Sequence, residues 1–67
     1  MPYVNIQITR EGATPEQKGK LIEGVTRLLE YVLGKNPATT VVVIAEVDTD
    51  NWGIGGETVT VRRARGQ

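Results

Sequence analysis

Cysteine, histidine and phenylalanine are all absent from these 67 residues, and tryptophan occurs once. Without cysteine there is neither a disulfide framework nor a thiolate nucleophile. Without histidine the commonest metal ligand and the usual neutral-pH base are gone, so an ordinary zinc site and a Ser–His or Cys–His relay drop out together. Net charge is missing as well. Eight Lys+Arg offset eight Asp+Glu, so no long-range field draws the chain to nucleic acid or to an acidic membrane surface. A nucleic-acid-binding β-α-β module is the poorer reading on that ground. No apolar run approaches the roughly 18–20 residues of a membrane span. The first residues lack the basic and apolar regions of a signal peptide, and a cytoplasmic protein is expected.

Small size is the next constraint. Residues 1–67 make one domain, and a chain this short buries only about 60% of its unfolded surface. Disulfides, a metal or partner subunits usually make up the deficit. With the first two gone, self-association is what remains.

What is present reads as a simple pattern. Residues 3–9 alternate, with Val4, Ile6 and Ile8 on one side and Tyr3, Asn5, Gln7 and Thr9 on the other, which predicts a strand. The second side is polar yet uncharged, and suits a buried or site-lining surface better than open water. "REGA" then breaks the pattern and makes a loop. A helix over about 15–33 follows from Thr14 as N-cap, Pro15 at the first helical position and Gln17 completing a capping box. Leu21, Ile22, Val25, Leu28, Leu29 and Val32 form one apolar stripe along it. Gly34 is its expected C′ residue, and Pro37 forbids continuation.

"TTVVVIAEV" predicts the second strand, apolar on both faces and largely β-branched. Two strands joined by such a helix make a parallel βαβ unit. The helix stripe covers one sheet face, and a second subunit is needed for the other. "DTDNWGIGGE" is a turn region, and "TVTVRR" after it alternates as a short edge strand or hairpin arm does. The end, "VRRARGQ", reads most simply as a solvated tail.

Few residues in this pattern can do chemistry. "GIGG" looks like a phosphate-cradling loop, but it follows a turn and is expected to open no helix, so glycines needed for positive φ are the better reading. Glu46, Asp48 and Asp50 make a carboxylate dyad only if the strand runs on through them; Asp48 and Asp50 look like turn formers, and Glu46 like a salt-bridge partner. Pro2 has two possible lives. It merely begins a strand, where proline is tolerated, or it becomes a free secondary amine once Met1 is trimmed. An exposed α-amino group titrates near 7.7–8.0. Apolar walls and nearby cations disfavour its ammonium form and bring it toward neutrality. Such an amine takes a proton from carbon next to a carbonyl without any metal.

Proline after Met1, a short strand, "EGATPEQK" running into the helix, "VVVIAEV" and "NWGIGGE" together resemble the 4-oxalocrotonate tautomerase family, over about residues 2–63. The resemblance implies an α+β, β-α-β subunit with parallel strands, one long helix and a C-terminal β-arm or hairpin. It implies a hexamer built as a trimer of dimers, homomeric or mixed. It also implies a cofactor-independent isomerase that interconverts enol and keto forms of 2-oxo acids, such as the 2-hydroxymuconate-type compounds of aromatic catabolism. Pro2, freed by methionine removal, would then be general base and acid in turn. Trp52 falls at the family's aromatic position before the glycine turn, the apolar wall beside the proline.

Two family arginines have no counterpart. Aligned from the helix start, the loop arginine falls on Ala13; aligned through "GIGGE", the second-strand arginine falls on Val41. Arg10 in the first loop, and Arg62 or Arg63 reaching from a neighbour, are the candidates to bind carboxylate instead. Weak dicarboxylate turnover, or a monoacid substrate such as a phenylpyruvate-like enol, follows from that departure. So does a rival expectation, a non-catalytic or partner-dependent subunit whose missing cations come from a second kind of chain. A retained Met1 would point the same way, because an acylated proline nitrogen is no base.

Overall fold

The computed structural model describes residues 1–66, and Gln67 of the arginine-rich end lies outside them. Strand β1 (Tyr3–Thr9) leads to helix α1 (Pro15–Leu33), which returns the chain to strand β2 (Val41–Val47). The helix starts as its local chemistry demands. The Thr14 side chain accepts from the Gln17 backbone N–H at 3.1 Å, and the Gln17 side chain accepts from the Thr14 N–H at 2.9 Å. That reciprocal cap contributes about 1 kcal/mol. At the other end Gly34 takes the left-handed conformation, φ +66, and its N–H donates to the Glu30 carbonyl. The second strand begins at Val41, two residues later than the sequence pattern predicts. Pro37–Thr39 form a 3₁₀ turn instead, with the Asn36 side chain accepting from the Ala38 N–H.

β1 and β2 are parallel, with Tyr3 opposite Val41, Asn5 opposite Val43 and Ile8 opposite Glu46. The ladder is closed at both ends, by Val41 N–H donating to the Pro2 carbonyl and Arg10 N–H donating to the Val47 carbonyl. Residues in register share a face. Glu46 shares one with Ile8 and forms an ion pair with Lys18 of α1, which identifies the face the helix covers. Val4, Ile6, Val42 and Ile44 lie half-buried on that face. The opposite face is open. Tyr3 is 64% exposed, Val41 41% and Val43 39%.

Beyond β2, a 3₁₀ turn at Thr49–Asn51 precedes an antiparallel hairpin of β3 (Gly53–Ile54) and β4 (Glu57–Thr58). Gly55 and Gly56 sit at φ +62 and +85, the pair of positive angles that a two-residue hairpin turn of the right twist requires. The hairpin is the expected C-terminal feature, but it is shorter than "TVTVRR" predicts. Strand ends at Thr58, and Val59–Ala64 form a short helix, α2. The cause is local. The Thr58 hydroxyl oxygen accepts from the Val61 N–H at 3.1 Å as an N-cap, while the Thr60 hydroxyl bonds Asp50 and Thr49. Those contacts give the alternating valines helical partners in place of a ladder. The glycine tract opens no helix, as the sequence reading expects: it turns the hairpin, and β4 stands between it and α2. The arginine-rich end, by contrast, is no solvated tail: Arg62 and Arg65 pair with Glu57, and Arg63 pairs with Glu11.

Little of this is buried. Val59, 6% exposed, is the one buried hydrophobic residue among those described, while Leu21, Ile22, Leu28 and Val32 on the helix stripe are each at least 40% exposed. The radius of gyration is 15.3 Å, against about 11 Å for a compact chain of this length. No helix among the described residues is long and apolar enough to cross a membrane. An open sheet face and a half-covered helix in so extended a chain are what a protomer looks like.

Candidate active site

Pro2 stands half-buried at the head of β1, its nitrogen joined to Met1 and its carbonyl held by Val41 N–H at 3.0 Å. Val41 is thus the backbone neighbour of Pro2, at the position that the sequence reading aligns with a family arginine.

The other candidates gather at the opposite end of the sheet. Thr9, Trp52, Ile54, Val59, Arg62 and Arg63 line one hollow of about 370 Å³. Local structure explains how Trp52 comes to be there. The 3₁₀ turn ends at it, and its carbonyl accepts from the Val59 N–H at 2.8 Å, tying it to the start of α2. α2 in turn carries Arg62 and Arg63 on its last turn. One short helix, clamped by Thr60 to Asp50 and Thr49, therefore positions the aromatic wall and both guanidiniums together.

Three of the five residues singled out in the sequence, Trp52, Arg62 and Arg63, share this hollow. Pro2 and Arg10 do not. Arg10 lies outside its lining, with Nε 3.1 Å from Asp48 and Nη2 donating to the Glu46 carbonyl at 3.4 Å. Pro2 is seven residues back along β1 from Thr9, or about 23 Å at the rise of an extended strand. Proline and hollow of a single chain cannot touch one substrate.

Glu11 and Glu57 escaped the reading from sequence. Glu57 accepts from Arg65 and lies 3.7 Å from Arg62; Glu11 pairs with Arg63 and accepts the Thr9 hydroxyl. The only available signal was their position, one after the glycine turn and one beside Arg10, and neither marks a partner across the fold. The carboxylates that the sequence did flag serve elsewhere: Glu46 with Lys18, Asp48 with Arg10, Asp50 with Thr60. No dyad forms. Ala13 lines a separate hollow with Glu11 and Gln17 and brings no cation to it.

Comparison with known proteins places the chain in a family. The family model described as "Tautomerase enzyme" matches residues 2–62. The chain is 71% identical over 63 residues to probable tautomerase K2 of Dickeya dadantii (strain 3937), covering 94% of each. It is 43% identical over 56 residues to the 2-hydroxymuconate tautomerase of Comamonas testosteroni, covering 84% of this chain and 87% of that one. Among solved structures, DmpI from Helicobacter pylori superposes with a TM-score of 0.88 at 51% identity, over 94% of this chain and 97% of that one. A heterohexameric 4-oxalocrotonate tautomerase from Chloroflexus aurantiacus J-10-fl superposes with a TM-score of 0.81 at 25% identity, over 90% and 95%. Fold, motif order and relatives converge on an isomerase lineage. The chain belongs to the tautomerase family.

Proposed function

We propose that the protein is a cofactor-independent tautomerase of enol and keto forms of 2-oxo acids, with Pro2 as general base and acid once Met1 is removed. The observation that carries the reading is a hollow walled by the only tryptophan and two arginines, in a tautomerase-family chain with proline at position 2. The proline nitrogen takes the hydroxyl proton of the enol as the keto group forms. It then returns a proton to the carbon of the extended π-system, so charge and mass balance without a metal. Arg62 and Arg63 hold the acid, and Trp52 keeps water from the reacting carbons. Arg10 is a subsidiary candidate for carboxylate binding.

The site is completed by self-association. A second copy whose β1 runs antiparallel to this one, packed on the open face of Tyr3, Asn5, Gln7, Val41 and Val43, brings its Pro2 end toward this hollow. Closing three such dimers into a hexamer buries the exposed helix stripe. The substrate class, 2-hydroxymuconate-type compounds, is carried from the Comamonas relative. A cytoplasmic setting accords with such metabolites.

The test is turnover by the methionine-free protein. Enol-to-keto conversion of 2-hydroxymuconate or phenylenolpyruvate is expected, and its absence for both would end the reading. A second reading is favoured by Ala13 and Val41, which supply no cation where the family has one. It is a subunit active only beside a different chain; the similar Chloroflexus protein is itself a heterohexamer. Purified protein that binds substrate but turns over only after such a partner is added would select it.

A further inference from the structure

Resting on the assignment of the Trp52 hollow as the substrate site, we infer that Thr60 is a positioning residue, whose hydroxyl latches α2 so that Arg62 and Arg63 meet a bound acid beside Trp52. The helix has six residues, and one so short does not hold its shape alone in water. It stands only while it is docked. Two of its ties run through the guanidiniums, from Arg62 to Glu57 and from Arg63 to Glu11. Those groups are the ones an incoming acid engages, so they cannot be fixed anchor and receptor at once. The ties that spare them sit at the start of the helix. Thr58 caps it, Val59 N–H donates to the Trp52 carbonyl at 2.8 Å, and Thr60 is bonded to the 3₁₀ turn that precedes Trp52.

Of these, the Thr60 contact joins the two sides of the hollow through side chains. A hydroxyl has one proton to give. Thr60 gives its own to the Asp50 carboxylate, and the Thr49 hydroxyl donates to Thr60 across 2.7 Å. Trp52 follows Asp50 by two residues, while Arg62 and Arg63 follow Thr60 by two and three. One hydrogen-bonded contact therefore sets the aromatic wall against the cations. The fold as a whole has little stake in it. Thr60 and Asp50 are both exposed, and water satisfies an exposed carboxylate that loses its partner. Loss of the hydroxyl costs ligand affinity more than global stability.

Thr60→Val keeps the shape and the β-branch and deletes the hydroxyl. In the methionine-free assembled protein, KM for phenylenolpyruvate is expected to rise about tenfold, the lower end of what one hydrogen bond to a charged group supplies. The kcat should stay within about threefold, and Thr60→Ser should restore KM. The sole tryptophan lines the hollow, so its fluorescence reports binding without turnover, and Kd for 2-oxohexanoate should move with KM. Asp50→Asn reaches the same contact from its other side and reads it without any change at residue 60. It should raise KM, and the double variant should be no worse than Thr60→Val alone. A purely structural role gives a different result: a lower Tm and a lower kcat, with KM unchanged. That result, failure of serine to rescue, additive effects in the double variant, or no fluorescence change with 2-oxohexanoate in the wild type would overturn the inference. Failure of the tautomerase reading looks different: the methionine-free wild type turns nothing over, while Thr60→Val still weakens 2-oxohexanoate binding and serine restores it.

Discussion

Pro2→Ala is expected to lower kcat for enol–keto conversion by about 10²–10⁴, the range a positioned general base supplies, while KM changes by less than about threefold. Alanine is small enough for methionine to be removed before it, so the variant still ends in an amine. What it loses is direction. The pyrrolidine ring fixes the nitrogen relative to the strand, whereas a primary amine on alanine rotates, and misaimed groups forfeit much of their effect. KM should hold because the contacts assigned to binding, Arg62, Arg63 and Trp52, lie at the other end of β1 from residue 2 in each chain. A sharper companion is the wild-type sequence carrying extra residues before Met1. Its proline nitrogen is then an amide, with no usable lone pair, and it should fall at least as far as the alanine variant. Steady-state kinetics on 2-hydroxymuconate and phenylenolpyruvate read both. Activity within about threefold of wild type in either protein would remove Pro2 from the mechanism.

Val43→Asp should abolish assembly and folding together. The described chain exposes 4936 Å², where a compact monomer of this mass exposes about 4,200 Å². With one buried hydrophobic residue, the protomer has almost no core of its own. Its stability is therefore expected to reside in contacts between copies. Val43 sits mid-strand on the open face, opposite Asn5 and two residues from Val41. A carboxylate there, buried without a partner on both sides of a symmetric contact, costs several kcal/mol for each copy. Sedimentation should show an oligomer for wild type and a monomer for the variant. Circular dichroism should show a Tm that falls on dilution for wild type, and no cooperative melt for the variant. A wild-type Tm independent of concentration would place the stability within the protomer and contradict this.

Much of the architecture was legible because its signals are local. Strand 3–9 and helix 15–33 match the sequence reading at their boundaries. Period-two alternation, a capping box and a left-handed glycine are each complete within a few residues. Even the open face could be inferred, since an apolar run on both sides of β2 had one helix to cover it. Errors arose where a distant partner decided. "TVTV" alternates as a strand does, yet four residues are too few to resist capping by Thr58 and the bond from Thr60 to Asp50. Thr39 and Thr40 look like strand, but Asn36 accepts from both hydroxyls and from the Ala38 N–H, holding a turn.

The site divided in the same manner. Trp52, Arg62 and Arg63 were found by residue type, and they do share a hollow. Their counter-ions were invisible, because Glu11 lies 52 positions from Arg63 along the chain. Arg10 sits near enough in sequence to a lost family arginine to look like its substitute, but Asp48 occupies its guanidinium. The separation of Pro2 from the hollow follows from Thr9 lining it at the far end of β1, beside Trp52 and α2, a placement that spacing along the chain does not encode.

The uncapped, unprotonated state of the Pro2 nitrogen is tested most directly by mass spectrometry of the native assembly after brief exposure, near pH 7, to an electrophile that labels neutral amines. The expected spectrum shows a chain one methionine lighter, with label on residue 2 ahead of every lysine. A chain that keeps Met1, or a residue 2 labelled no faster than Lys20, would contradict it.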